Sequence, residues 1–149
     1  MTQRMDYNAA TPAGVKALGG VHSYIAQSGL PKRLVDIVYL RVSQMNGCAY
    51  CVDTHSADAA SAGESAQRIN AVAVWNESPF FTERERAALR FTEVVTRVAE
   101  THVPAGEYDA VAAHWSPDEV GALLALIVTI NAWNGLAVAS RAWEPVLVD

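Results

Sequence analysis

Apolar residues recur every three or four positions along most of the chain, the interval that lines one face of an α-helix. No segment alternates at period two over a length that would make a strand. Thr11-Pro12 predicts a helix start with proline at the first helical position. Val15, Leu18, Val21, Tyr24 and Ile25 then keep helical spacing up to a stop at Gly29, with Gly19-Gly20 weakening the middle. Pro31 opens a second helix to Met45, whose broad apolar face (Leu34, Ile37, Val38, Leu40) predicts burial of most of its surface. Asn46-Gly47 is a turn pair, and Cys48 begins a third helix running through alanines to Gly63. A fourth starts at Glu64 or Ser65 and reaches Trp75, followed by a loop over Asn76-Glu77-Ser78-Pro79. Thr82 and Glu85 form a capping box for a fifth helix to about Ala99. A short helix over residues 105–114 follows Pro104. A second capping box, Ser116 with Glu119, opens the most apolar helix, expected to bend at Asn134-Gly135 and end near Arg141.

The pattern predicts an all-α fold of about six to seven helices in one domain over residues 1–149. Hydrophobic residues make up 51% of the chain, enough for a sizeable core, and the net charge of −5 disfavours nucleic acid or an anionic membrane as partner. The longest apolar run, Val120 to Ile130, is shorter than the roughly 20 residues that a membrane span needs. Residues 1–6 lack the apolar stretch of a signal peptide. The expectation is a soluble cytoplasmic protein, where a close cysteine pair is redox-active or metal-binding rather than a structural staple.

Both cysteines and one of the four histidines fall in Asn46-Gly47-Cys48-Ala49-Tyr50-Cys51-Val52-Asp53-Thr54-His55. On a helix, Cys48, Cys51 and His55 share one stripe. The cysteine Cα atoms would lie roughly 5 Å apart, within reach of a disulfide. His55, one turn beyond Cys51, can take or return a thiol proton. The first cysteine stands at a helix N-terminus, whose partial positive charge favours a thiolate there.

Three uses of this stripe compete. A zinc site could draw on Cys48, Cys51, His55 and Asp36, but Cys48 and His55 are roughly 10 Å apart along a helix, and the ligand atoms of one zinc lie within about 4 Å of each other. No second chelating pair exists, so neither metal nor cofactor is expected. The two cysteines could instead be small buried hydrophobes with His55 a packed core histidine. The third use is thiol redox chemistry. A thiolate attacks a peroxide oxygen and becomes a sulfenic acid, which a second thiol condenses into a disulfide; the same pair could exchange disulfides with a dithiol partner. His22, His102 and His114 read as surface or packing residues, and the four tryptophans as core and interface bulk. Arg41, on an apolar helix, needs a partner, from a glutamate elsewhere or another subunit.

The run from Leu34 to His55, with Arg41-Val42-Ser43-Gln44-Met45-Asn46-Gly47-Cys48 and the Cys-x-x-Cys-x-x-x-His spacing, resembles the core of the carboxymuconolactone decarboxylase superfamily. More narrowly it resembles the alkylhydroperoxidase D-like (AhpD-like) branch, most strongly over residues 31–60. The resemblance implies an all-helical fold assembled as homotrimers or homohexamers. It implies a hydroperoxide substrate and an external dithiol donor, lipoyl-bearing or thioredoxin-like. It assigns Cys51 as the peroxide-attacking cysteine, Cys48 as the resolving one and His55 as the relay histidine. Its choice of Cys51 runs against the helix-terminus argument for Cys48. The family pattern places glutamate twelve residues before the first cysteine as the remote end of a proton relay. Here Asp36 stands there, one methylene shorter, so that a water bridges the gap or the relay is weaker. Tyr50 replaces a histidine that some members carry between the cysteines. The cysteine pair disfavours lactone decarboxylation. The expected function is a dithiol peroxidase, with a disulfide reductase serving a separate peroxidase or a lipoyl-type carrier, or a non-catalytic helical oligomer binding a partner, as rivals.

Shifting the chain by 83 residues lays Asp36…Cys48-Ala49-Tyr50-Cys51 on Glu119…Asn131-Ala132-Trp133-Asn134. Either a helical hairpin is duplicated and one copy kept the chemistry, or two apolar helices align by chance.

Overall fold

The computed structural model describes residues 2–147, and every regular element among them is helical. The order is α1 (Tyr7–Ala10), α2 (Pro12–Gln27), α3 (Lys32–Met45), α4 (Ala49–Ser61), α5 (Ala66–Ala71), a 3-10 segment (Val72–Glu77), α6 (Glu83–Thr96), α7 (Val98–Thr101), α8 (Ala105–Ala112) and α9 (Pro117–Ser140). The short α1 and α7 account for most of the excess over the predicted number. Both capping boxes form. Thr82 N–H donates to Glu85 Oε2 at 2.9 Å and Ser116 N–H to Glu119 Oε2 at 2.8 Å, and each hydroxyl accepts the N–H of its glutamate.

Helix α3 is the axis of the molecule. Nine of its fourteen residues are buried, which is the outcome its broad apolar face predicts. Helices α4, α6 and α9 pack around it. Leu34, Ile37, Val38, Leu40 and Val42 meet Leu89 and Phe91 of α6 and Leu123, Leu126 and Ile127 of α9 in one core. Each such side chain contributes about 1.5–3 kcal/mol by leaving water. Arg41 finds its partner within the chain: its Nε donates to Glu93 Oε1 at 2.7 Å, and the same oxygen accepts Trp75 Nε1–H at 2.7 Å.

Three expected boundaries move. The fourth predicted helix splits at α5, because Arg41 Nη1 takes the Ala73 carbonyl at 3.2 Å and Val74 leaves helical geometry at φ −127°, ψ 33°. The fifth ends at Thr96 rather than Ala99, after the β-branched run Val94-Val95-Thr96, which disfavours helix. The last predicted helix, α9, does not break at Asn134-Gly135 but runs 24 residues without interruption. The Asn134 side chain is fully buried and bonds to neighbouring segments, so it does not compete for its own helix backbone. At that length α9 is long and apolar enough to cross a membrane, unlike the run read from sequence. Here Val120, Leu123, Leu126, Ile127 and Ile130 are buried within the chain, Leu124 is half-buried, and Val128 is exposed.

Candidate active site

The cysteine pair sits where α3 hands over to α4. Asn46 N–H still closes α3 on the Val42 carbonyl at 2.9 Å. Gly47 then adopts φ +65°, a conformation that glycine takes without a steric penalty. The chain reverses, and Cys48 N–H donates to the Ser43 carbonyl at 3.1 Å. Cys48 is thus the N-cap residue of α4, with Sγ 3.3 Å from the Cys51 N–H that it accepts. Cys48 and Cys51 are joined as a disulfide with Cα atoms 5.3 Å apart, the distance expected from one helical turn.

Helix α9 holds this turn from behind. Asn46 Nδ2 donates to Asn131 Oδ1 at 2.8 Å and to Asn134 Oδ1 at 3.1 Å, and Asn134 Nδ2 donates to Ser43 Oγ at 3.1 Å. The two asparagines of the sequence echo therefore lie against the cysteine turn itself.

His55 lies one turn past Cys51, with 15% of its side chain exposed. Burial pushes its pKa down to about 4, against the opposing pull of Asp58, whose Oδ2 is 3.7 Å from Nδ1; His22 and Lys32 push in the same direction as burial. At neutral pH the ring is uncharged and able to accept a proton. It stacks on Tyr39 at 4.7 Å between ring centroids, and Tyr39 stacks in turn on His22 at 5.5 Å. The Tyr39 hydroxyl meets His22 Nδ1 at 3.0 Å. Burial, and then the charge of Asp36, raise the Tyr39 pKa to about 12, so the phenol stays protonated.

Asp36 is buried, and its carboxylate is bound by Lys32 one turn earlier. It makes no hydrogen bond to His55 among the described residues. The two groups do share one cavity of about 560 Å³, which His22, Tyr39 and Asp58 also line and which has room for bridging water. Cys51 is thus joined to Cys48 and shares a cavity with His55, while Asp36 stands in the adjoining cavity, paired with a lysine.

A second cavity, of about 420 Å³, opens on Cys51 and His55. Trp133, Trp143, Tyr50, Val15 and Ile130 make its wall largely apolar, and His22, Tyr39 and Thr54 supply polar groups. Sequence reasoning missed Tyr39 and His22 as site residues and treated all four tryptophans as bulk. Trp75 and Trp115 are indeed buried in the core, and His102 and His114 are exposed. Tyr39 carried a usable signal, since it lies three residues after Asp36 on the helix face that adjoins α4. His22 and Trp143 carried none, because only the packing of α2 and of the segment after α9 brings them in.

A cysteine pair at a helix N-terminus, with a buried neutral histidine one turn on, within an all-helical fold, defines a class of dithiol proteins. The chain belongs to the carboxymuconolactone decarboxylase family, whose profile matches residues 10–94, and to its AhpD-like branch. It is 37% identical over 139 residues to the uncharacterized protein YdfG of Bacillus subtilis, spanning 93% of this chain and 95% of that one. The crystal structure of ATU0492 from Agrobacterium tumefaciens, a protein of unknown function described as a candidate AhpD antioxidant defence protein, is 40% identical. It superposes with a TM-score of 0.94 over 98% of this chain and 100% of its own. The debrominase Bmp8 bound to 2,3,4-tribromopyrrole has the same fold, with a TM-score of 0.78 at 22% identity over 91% of this chain and 72% of its own. The fold together with the disulfide pair is compatible with an antioxidant peroxidase.

Proposed function

We propose that the protein is a cytoplasmic dithiol peroxidase that reduces hydroperoxides and is recycled by an external dithiol. The observation that carries this reading is that Cys51, and not Cys48, lines the apolar cavity of about 420 Å³ together with the neutral His55. This supports Cys51 as the attacking sulfur despite the helix terminus beside Cys48. A nucleophile must reach its substrate before its pKa matters. His55 accepts the Cys51 proton. The Cys51 thiolate attacks the terminal peroxide oxygen, the O–O bond breaks, and His55 returns the proton to the departing alkoxide. Cys51 is then a sulfenic acid, on which the Cys48 thiol condenses with loss of water. The resulting disulfide is the state that the structure holds. Asp36 acts on His55 through water in the shared cavity, as the remote end of the relay.

The experiment is peroxide consumption in the presence of dihydrolipoamide or another dithiol, with thiols titrated before and after. Loss of two thiols per chain, with sustained turnover, is expected. Disulfide exchange without peroxide consumption would make the protein a disulfide reductase for another peroxidase, and no thiol loss at all would leave a non-catalytic oligomer. We further propose a homotrimer or homohexamer. With α9 mostly covered within the chain, its support narrows to Val128, 60% exposed, on that helix, and to the family. Light scattering that gives 16.0 kDa at micromolar concentration would sink it.

A further inference from the structure

Two cavities adjoin the disulfide, and they are lined by different cysteines. The cavity of about 420 Å³ touches Cys51 and not Cys48. Another, of about 210 Å³, touches Cys48 and not Cys51. Tyr50, Ala137 and Trp143 line both and form the partition between them. Tyr50 and Trp143 stack at 5.9 Å, so the partition is a packed aromatic pair rather than a loop edge.

The smaller cavity has a different character from the larger. Gly47 and Val138 line it beside Cys48, and Arg4, Arg141 and Glu144 stand at its rim. Both ends of the chain build that rim. Arg4 and Met5 N–H groups donate to the Ser140 carbonyl at 2.9 and 3.1 Å, and Arg4 Nη1 donates to the Ala139 carbonyl at 3.2 Å. Helix α9 stops there with Arg141 at φ +51°, which turns Trp143 back onto Tyr50.

We propose that the reductant has its own entrance: a thiolate of the dithiol donor enters the cavity of about 210 Å³ and attacks Sγ of Cys48. The inference rests on the peroxidase reading for the use of the larger cavity. A sulfur that attacks a disulfide approaches on the side opposite the bond that breaks. Attack on Cys48 therefore needs open space away from Cys51. Of the two cysteines the smaller cavity is lined by Cys48 alone, and the attack is assigned to that space. The donor sulfur bonds to Cys48 Sγ, the Cys48–Cys51 bond breaks, and the electron pair leaves on Cys51. The donor's second thiol loses its proton and attacks the donor sulfur of the mixed disulfide. That step expels Cys48, which takes up a proton. The donor leaves as its own disulfide, two electrons have passed to the protein, and Cys51 is released as a thiolate beside the neutral His55. The larger cavity is never filled by the donor, so hydroperoxide and reductant do not compete for one space.

The test begins with the oxidised protein and the monothiol 2-mercaptoethanol, followed by acid quench, iodoacetamide and peptide mapping. The expected intermediate carries 2-mercaptoethanol on Cys48 and the alkyl group on Cys51; the reverse assignment overturns the proposal. Two variants then separate the half-reactions, read by tryptophan fluorescence in stopped flow. V138W narrows the smaller cavity and G19L the larger, where a Cβ at Gly19 meets nothing within 4 Å. V138W is expected to lower the rate of reduction by dithiothreitol, relative to oxidation by a hydroperoxide, by about tenfold, because exchange depends on access to the attacked sulfur. G19L is expected to shift the same ratio the other way. Equal slowing of both half-reactions in V138W overturns the separate entrance. A parent protein that dithiothreitol reduces but no hydroperoxide oxidises would sink the peroxidase reading instead, and the mapping of the adduct would still decide which sulfur is attacked.

Discussion

The turn between α3 and α4 and the middle of α9 carry the same spacing and do different work. Cys48, Cys51 and His55 correspond, at the shift of 83, to Asn131, Asn134 and Val138. In the first region Gly47 interrupts the helix, so Cys48 becomes an N-cap and its sulfur faces free backbone N–H groups. In the second the helix is unbroken, and every backbone group beside Asn131 and Asn134 is already satisfied. The Asn134 amide bonds outward, to Asn46 and Ser43 of the first region, while Asn131 accepts from Asn46 through Oδ1 and turns its Nδ2 to the Ile127 carbonyl at 2.9 Å and Thr96 Oγ1 at 3.3 Å. An identical spacing thus gives a disulfide pair where a helix begins and a structural clamp where one continues.

The sharpest way to break the comparison is to make the reactive region as inert as the other. C51S is expected to abolish thiol-dependent peroxide turnover. C48S should leave Cys51 able to react once and stay trapped as a sulfenic acid or mixed disulfide. Sulfenate captured on Cys48 in C51S, with turnover retained, would reverse the assignment.

Removing the histidine that α9 lacks comes next. H55Q should slow the peroxide step by about 10²-fold, the usual worth of a positioned general base. It should also change the pH dependence of stability. His55 sits at about 4 in the fold against 6.5 in the unfolded chain, so the unfolded chain binds the extra proton between those values. Stability is then full above about pH 6.5 and falls as the pH drops towards 4. Urea melts at stepped pH should show that slope in the parent and a flatter one in H55Q; identical slopes would remove His55 as the buried titrating group.

The clamp is tested by N134A. It leaves Ser43 Oγ without its donor in a fully buried position, at an expected cost of about 1–3 kcal/mol. An unchanged urea midpoint would deny the clamp.

The smallest effect is expected at Asp36. D36E should raise the rate or leave it unchanged, because the longer side chain shortens the water path to His55; D36A should lower it. If the backbone has already closed to suit aspartate, the added methylene costs about 1–3 kcal/mol in melting experiments. Alanine as active as the parent would take Asp36 out of the relay.

Much of the fold could be read along the chain because its signals are local. The capping boxes at Thr82 and Ser116 need only a side chain and an amide three residues away, and both form as expected. The burial of α3 follows from an apolar face too broad to leave in water. The one-turn spacing of Cys48, Cys51 and His55 follows from helix geometry, given the turn at Asn46-Gly47. Even the ion pair of Asp36 with Lys32 lies at a helical interval of four and was open to reading.

What sequence could not supply depends on which surfaces meet. The split after α5 follows from Arg41 reaching a carbonyl 32 residues away. The straightness of α9 at Asn134 follows from a side-chain amide 88 residues away and a hydroxyl 91 residues away in sequence. The stack of His22 and Tyr39 on His55, and the partition of Tyr50 and Trp143 between two cavities, join segments that share no local pattern. The chain by itself determined that two thiols and a histidine share a stripe at the start of a helix, because helical geometry is set over one turn. Only the tertiary packing decided that Cys51 faces an apolar cavity and Cys48 a separate one, because a cavity is the space that distant segments leave between them.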